Sequence, residues 1–126
     1  MNKLFALIVE DSPVFSLMFS RALQDEFEVE AIKDGGEALK RLDSFTPDLL
    51  VLDLHLPGIS GKHILDRVKA DERFAKTRII LTTGDERQAE ELSDIVDIVL
   101  LKPLNPSQLR ELASRIKGAN QSSSGA

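Results

Sequence analysis

Four places in this 126-residue chain put a side chain capable of chemistry directly behind a short apolar run. Glu10-Asp11 follow Leu4 to Val9, and Asp53 follows Leu49 to Leu52. Thr82-Thr83-Gly84 follow Ile79 to Leu81, and Lys102-Pro103 follow Ile98 to Leu101. Carboxylates crowded together repel one another, so either their pKa values rise or a cation binds. An all-oxygen ligand set suits a hard ion, Mg2+ or Mn2+. A carboxylate beside such an ion can attack a phosphoryl group and form an aspartyl-phosphate. A hydroxyl such as that of Thr83 and an ammonium such as that of Lys102 can then meet the charge on the phosphoryl oxygens. Taken singly, each residue has a plainer use. Asp11 can cap a helix, Asp53 can open a loop, Thr83 can shape a turn, and Lys102 can be a solvated surface lysine. Their joint occurrence behind four apolar runs is what points to chemistry.

The runs themselves decide whether these residues meet. Short continuous apolar stretches bounded by turn residues suit strands of a parallel sheet covered on both faces. A weaker strand, Phe27 to Ile32, alternates with Glu28 and Glu30, as an edge strand with one wetter face would. Helical spacing fills the gaps. Phe15, Met18, Phe19, Ala22 and Leu23 follow a Ser12 cap and Pro13. Ala38, Leu39 and Leu42 follow Asp34-Gly35-Gly36, and Ile64, Leu65 and Val68 mark a third helix. The fourth, near Glu86 to Leu92, is short and poorly apolar. Leu109, Leu112, Ala113 and Ile116 mark a last one, capped by Asn105 before Pro106. Strict alternation of strand and helix predicts an α/β domain, a doubly wound five-stranded parallel sheet with five helices. Two arrangements fit, the flavodoxin-like order 2-1-3-4-5 and a Rossmann-like half; the weak second strand favours the first, which puts it on an edge. Ligands of such a sheet bind beyond the carboxyl ends of the strands at the topological switch point, here between strands one and three. Glu10, Asp11, Asp53, Thr83 and Lys102 are all expected on that rim.

Composition narrows the remaining choices. The length suits one domain, expected over 1–117, with the unpatterned stretch 118–126 as a flexible tail or linker stub. No cysteine is present, so disulfides, thiolate zinc sites and a cysteine nucleophile are excluded. A net charge of −5 argues against direct nucleic-acid binding, which needs a basic footprint. No apolar run approaches the ~18 residues of a membrane span. Met1-Asn2-Lys3 lead into too short an apolar stretch for a signal peptide, so a soluble cytoplasmic protein is expected. His63 is expected to be exposed, and two isolated histidines do not make a metal site.

The stretch from Asp53 to Gly61 reads Asp-Leu-His-Leu-Pro-Gly-Ile-Ser-Gly. With Glu10-Asp11-Ser12-Pro13, Thr83-Gly84 and Lys102-Pro103 it resembles the receiver domain of two-component response regulators, over the span Phe5 to Ile116. The resemblance implies that Asp53 accepts a phosphoryl group from a histidine of a sensor histidine kinase or phosphotransfer protein. It implies that Glu10, Asp11 and Asp53 hold Mg2+, with the backbone carbonyl of His55 as a further ligand. Thr83 would bind and report the phosphoryl group. Lys102 would pair with phosphate when it is present and with Asp53 when it is not, aimed by a cis Lys102–Pro103 bond. The implied role is a phosphoacceptor signalling domain with intrinsic autophosphorylation and autodephosphorylation, not a metabolic enzyme. It would relay its state to a downstream effector, with no membrane contact, as a monomer or weak dimer.

Two departures from the family pattern concern the output. Val99 stands where the family usually has an aromatic residue, and a valine has no ring to swing between buried and exposed states. The segment from Thr83 to Lys102 is short by about one helical turn of 3.6 residues, and Ile95-Val96 replace the usual Gly-Ala. These motivate an alternative, a phosphorylation-independent receiver-like interaction module. An aspartyl phosphatase fits less well, since its second acid two residues after the nucleophile is here His55; a flavin carrier would need a phosphate-binding loop that Glu10-Asp11-Ser12-Pro13 does not supply. Val14 and Leu17 fall beside the apolar stripe of helix one and are expected to form a docking spot for the kinase or phosphotransfer protein. His55 and Asp85, two residues after Asp53 and Thr83, are expected to tune the lifetime of the phosphorylated state through the attacking water.

Overall fold

The computed structural model describes residues 3–105, 107–112, 114 and 115. Its elements are β1 (Leu4–Val9), α1 (Pro13–Leu23), β2 (Phe27–Ile32), α2 (Gly35–Ser44), β3 (Leu49–Asp53) and α3 (Gly61–Lys69). A single 3-10 turn (Glu72–Phe74), β4 (Arg78–Thr83), α4 (Glu86–Leu92) and β5 (Ile98–Leu101) follow. Residues 107–112 and 114–115 are helical and form α5. All pairings in the sheet are parallel and its order is β2-β1-β3-β4-β5, the flavodoxin-like arrangement expected.

The apolar runs are continuous because the sheet is covered on both sides, and successive side chains of each strand enter different cores. Leu7, Val9, Leu50, Leu52, Ile79 and Leu81 pack against Ala38, Leu42, Ile64, Leu65 and Val68 of α2 and α3. Ala6, Ile8, Leu49, Val51, Ile80 and Leu100 pack against Phe19 and Leu23 of α1 and Leu109 of α5. Removing one such Leu side chain costs about 2–5 kcal/mol in a well-packed core.

Every helix begins at the same rim, with a polar cap that satisfies its first free amides. Ser12 accepts from Phe15 N, Asp34 from Glu37 N, Ser60 from His63 N, and Asp85 from Arg87 N and Gln88 N. Asn105 accepts from Ser107 N at 2.8 Å, the cap expected for the last helix. Pro106, Ala113, Ile116 and the tail 118–126 lie outside the described residues.

Three details differ from the sequence reading. β4 runs on through Thr82 and Thr83, because both hydroxyl residues are buried and their backbone still pairs with Leu100 and Leu101. In α1 only Phe19 and Leu23 are fully buried, whereas Phe15, Met18 and Ala22 are half-buried against the same core. The turn at Glu72–Phe74, which seats Phe74 in the core, is too short to leave a periodic signal. On the edge strand Glu28 is exposed, while Glu30 meets Arg41 of α2 at 2.9 Å. No helix among the described residues is long and apolar enough to cross a membrane.

Candidate functional site

The crossover from β1 to α1 and that from β3 to α3 leave on opposite faces of the sheet. This opens a crevice between the two strand ends. Glu10 directly follows β1, and its amide donates to Ile32 O at 3.0 Å, so the residue is held as a continuation of the sheet. Asp53 is the last residue of β3. Each is only 2% exposed. Asp11, one residue further out, is exposed. Carboxylate oxygens of the three lie within 4.8 Å of one another.

Lys102 arrives from the far side of β4. Its amide donates to Thr83 O at 2.9 Å, which prolongs the β5 pairing, and the bond to Pro103 is cis, as the resemblance implied. Its Nζ lies 2.8 Å from Glu10 Oε1 and 3.4 Å from Asp53 Oδ2. The Phe15 ring covers the ammonium at 4.5 Å, a contact that sequence spacing does not reveal. Glu10 Oε1 accepts no hydrogen bond of good alignment, so its contact with Lys102 is an ion pair by distance. Its Oε2 accepts from Ser12 N at 3.1 Å. Burial raises the Glu10 pKa above its ordinary value; Lys102 and the Ser12 amide pull it down, and neighbouring Asp53 adds to the rise.

The donor set fits a hard divalent cation. Glu10, Asp11 and Asp53 supply only carboxylate oxygens. One ammonium, that of Lys102, balances one of these three charges and leaves two, the charge of one divalent ion.

Thr83 is fully buried at the end of β4. Its Oγ1 accepts from Asp85 N at 3.0 Å, lies 3.1 Å from His55 Nε2, and donates to Gln88 Oε1 at 3.3 Å. His55 is exposed, and its amide donates to Asp53 Oδ1 at 3.0 Å, so it ties the phosphoacceptor candidate to the threonine. The Asp85 carboxylate caps α4. Gln88 carries one signal in the sequence, a position five residues beyond Thr83, where a helix that begins with an Asp85 cap folds back over the strand end. His63 is exposed on α3, as expected. Val99 is half-buried and packs towards the α2 and α3 side of the sheet. Gly61 also contributes. A Cβ there would run into Asp53 O and come within 2.6 Å of Leu54 Cα, so only glycine lets α3 start this close behind the acidic strand end.

Fold and pocket together define a receiver-type α/β domain. Residues 6–114 match the response regulator receiver domain, and the chain belongs to that family, the signalling domains of two-component systems. It is 35% identical over 121 residues to the transcriptional regulatory protein TrcR of Mycobacterium tuberculosis, covering 94% of this chain and 46% of that protein. It is 34% identical over 113 residues to the sensor histidine kinase TmoS of Ectopseudomonas mendocina, covering 87% of this chain and 12% of that protein. The chain thus spans less than half the length of these relatives. Among solved structures it resembles the chemotaxis response regulator CheY4 of Vibrio cholerae, with a TM-score of 0.80 and 28% identity over 91% of this chain and 99% of that one.

Proposed function

We propose that Asp53 accepts a phosphoryl group from a phosphohistidine on a sensor histidine kinase or phosphotransfer protein, and that the phosphorylated domain relays the signal to an effector. One observation carries this reading: a buried strand-end carboxylate shares a pocket with two further carboxylates and a lysine ammonium 3.4 Å away. An Asp53 carboxylate oxygen attacks the phosphorus in line. The bond from phosphorus to the donor nitrogen breaks, its electron pair stays on the imidazole, and an acyl phosphate forms on Asp53.

This chain's residues prepare that step. The His55 amide, donating to Oδ1, fixes the carboxylate's orientation. Lys102 is placed to move from the carboxylates to a phosphoryl oxygen and to balance its charge. Thr83 offers a hydroxyl one residue beyond Thr82, the register partner of Asp53. Glu10, Asp11, Asp53 and the His55 carbonyl would hold Mg2+, which supplies positive charge to the phosphoryl oxygens when bound. The intact pocket favours phosphoryl acceptance over a phosphorylation-independent module. Autophosphorylation from small donors and autodephosphorylation follow from the same groups, with His55 and Asp85 near the path of the attacking water. Val14 and Leu17, 65% and 52% exposed on α1, form the docking spot for the phosphoryl donor. The domain acts in the cytoplasm, as a monomer or weak dimer.

Incubation with Mg2+ and acetyl phosphate tests the reading by intact mass. A single phosphoryl adduct is expected, absent without Mg2+ and absent in Asp53→Asn. No adduct, or an equal adduct in Asp53→Asn, overturns it.

A further inference from the structure

A hydroxyl has one proton to donate and two lone pairs to accept with. Around Thr83 all three capacities are in use. Asp85 N, at 3.0 Å, occupies one lone pair. Gln88 Oε1 carries no hydrogen, so the 3.3 Å contact consumes the Thr83 proton. His55 Nε2, at 3.1 Å, then faces the second lone pair and donates to it in the Nε2–H tautomer. A phosphoryl oxygen on Asp53 is also an acceptor without a proton. It and Gln88 Oε1 compete for the same hydrogen.

We propose that Gln88 is a positioning residue that withholds the Thr83 hydroxyl proton from the phosphoacceptor site and is released from Thr83 when Asp53 is phosphorylated. The inference rests on the phosphoacceptor reading of Asp53 and extends it to α4. The Gln88 contact and the Asp85 amide bond both tie the start of α4 to Thr83; of the seven residues of α4 only Leu92, the last, is fully buried, while Gln88 and Ala89 are half-buried. Loss of the Gln88 contact leaves the Asp85 amide as the tie to Thr83 and so loosens the first turn of α4. The state of Asp53 reaches α4 through one proton, with no swinging ring, which matches the presence of Val99 on β5.

Binding of beryllium fluoride with Mg2+, as a tetrahedral stand-in for the phosphoryl group, tests this. Affinity is read from the amide resonance of Gly84, and folding from thermal melting. Gln88→Leu removes the competing acceptor and tightens binding by about two- to tenfold, the span of one ordinary hydrogen bond. Gln88→Glu keeps an acceptor, adds charge and weakens binding. In a Thr83→Ala background the Gln88→Leu gain disappears, which a purely structural role for Gln88 would not produce. Amide exchange in α4 quickens on ligand binding in the wild type and is already fast in Gln88→Leu without ligand. Should Gln88→Leu fail to fold, Gln88→Met serves in its place. Unchanged affinity on removing Gln88, or the same gain without the Thr83 hydroxyl, overturns the proposal while leaving the function of Asp53 standing. Failure of the wild type to bind at Asp53 overturns both.

Discussion

Lys102 stands closer to Glu10 than to Asp53, with its Nζ 2.8 Å from Glu10 Oε1 and 3.4 Å from Asp53 Oδ2. The ammonium therefore bridges two carboxylates that are each almost fully buried. Its own side chain is 19% exposed and lies under the Phe15 ring. Asp53 consequently shares its counter-charge with Glu10, and the pocket remains short of positive charge.

Lys102→Met should expose that shortage. Two buried carboxylates lose their partner, and the metal-free protein should lose about 1–3 kcal/mol of stability. Added Mg2+ should return much of it, because a ligand that binds only the folded state stabilises by mass action. Urea denaturation with and without Mg2+ checks this. A variant as stable as the wild type without metal would show that the bridge contributes nothing.

Glu10 gives the metal-free domain a pH dependence of defined sign. Its folded-state pKa is raised above the ordinary value of 4.5, chiefly by burial. Between the unfolded and folded values the native state holds more protons than the unfolded one, so stability falls as pH rises through that window and stays lower above it. Glu10→Gln should remove this part of the slope. Thermal melting of both proteins without metal, from acid towards neutral pH, should show the wild type losing ground to the variant as pH rises. A constant difference would contradict the assignment.

Gly61→Ala tests the packing behind Asp53. The added Cβ meets backbone atoms of Asp53 and Leu54, which cannot move aside as a side-chain tip could. The start of α3 must shift, at about 3 kcal/mol. Acetyl phosphate labelling should fall as well, because the shift disturbs the strand end that carries the acceptor. An alanine variant with wild-type stability and labelling would show that α3 can retreat freely.

Leu17→Asp separates docking from chemistry. Leu17 is 52% exposed, so the substitution should change stability by no more than about 0.5 kcal/mol. Labelling by acetyl phosphate should be unchanged, while phosphotransfer from the cognate kinase should slow. Equal transfer rates would remove Leu17 from the docking surface.

The apolar runs, their turn residues and the helical spacing between them were sufficient, as sequence, to point to the helix caps at Ser12 and Asn105 and to the common rim of Glu10, Asp11, Asp53, Thr83 and Lys102, and they narrowed the strand order to two arrangements, of which the weak second strand favoured the observed one. Period and burial are local properties, and parallel crossovers leave few ways to join such elements. What the side chains on that rim touch was decided only by the tertiary structure. Lys102 and Glu10 are ninety-two positions apart in the chain, and their 2.8 Å contact depends on β3 and β4 lying between β1 and β5. The Phe15 cover over Lys102 depends on the angle at which α1 crosses the sheet. The Gln88 contact with Thr83 depends on how sharply the Asp85 cap turns α4 back over its strand. Such contacts rest on distances of a few ångströms set by packing on both faces of the sheet. Residue type and spacing carry the list of participants at this site, and packing assigns their partners.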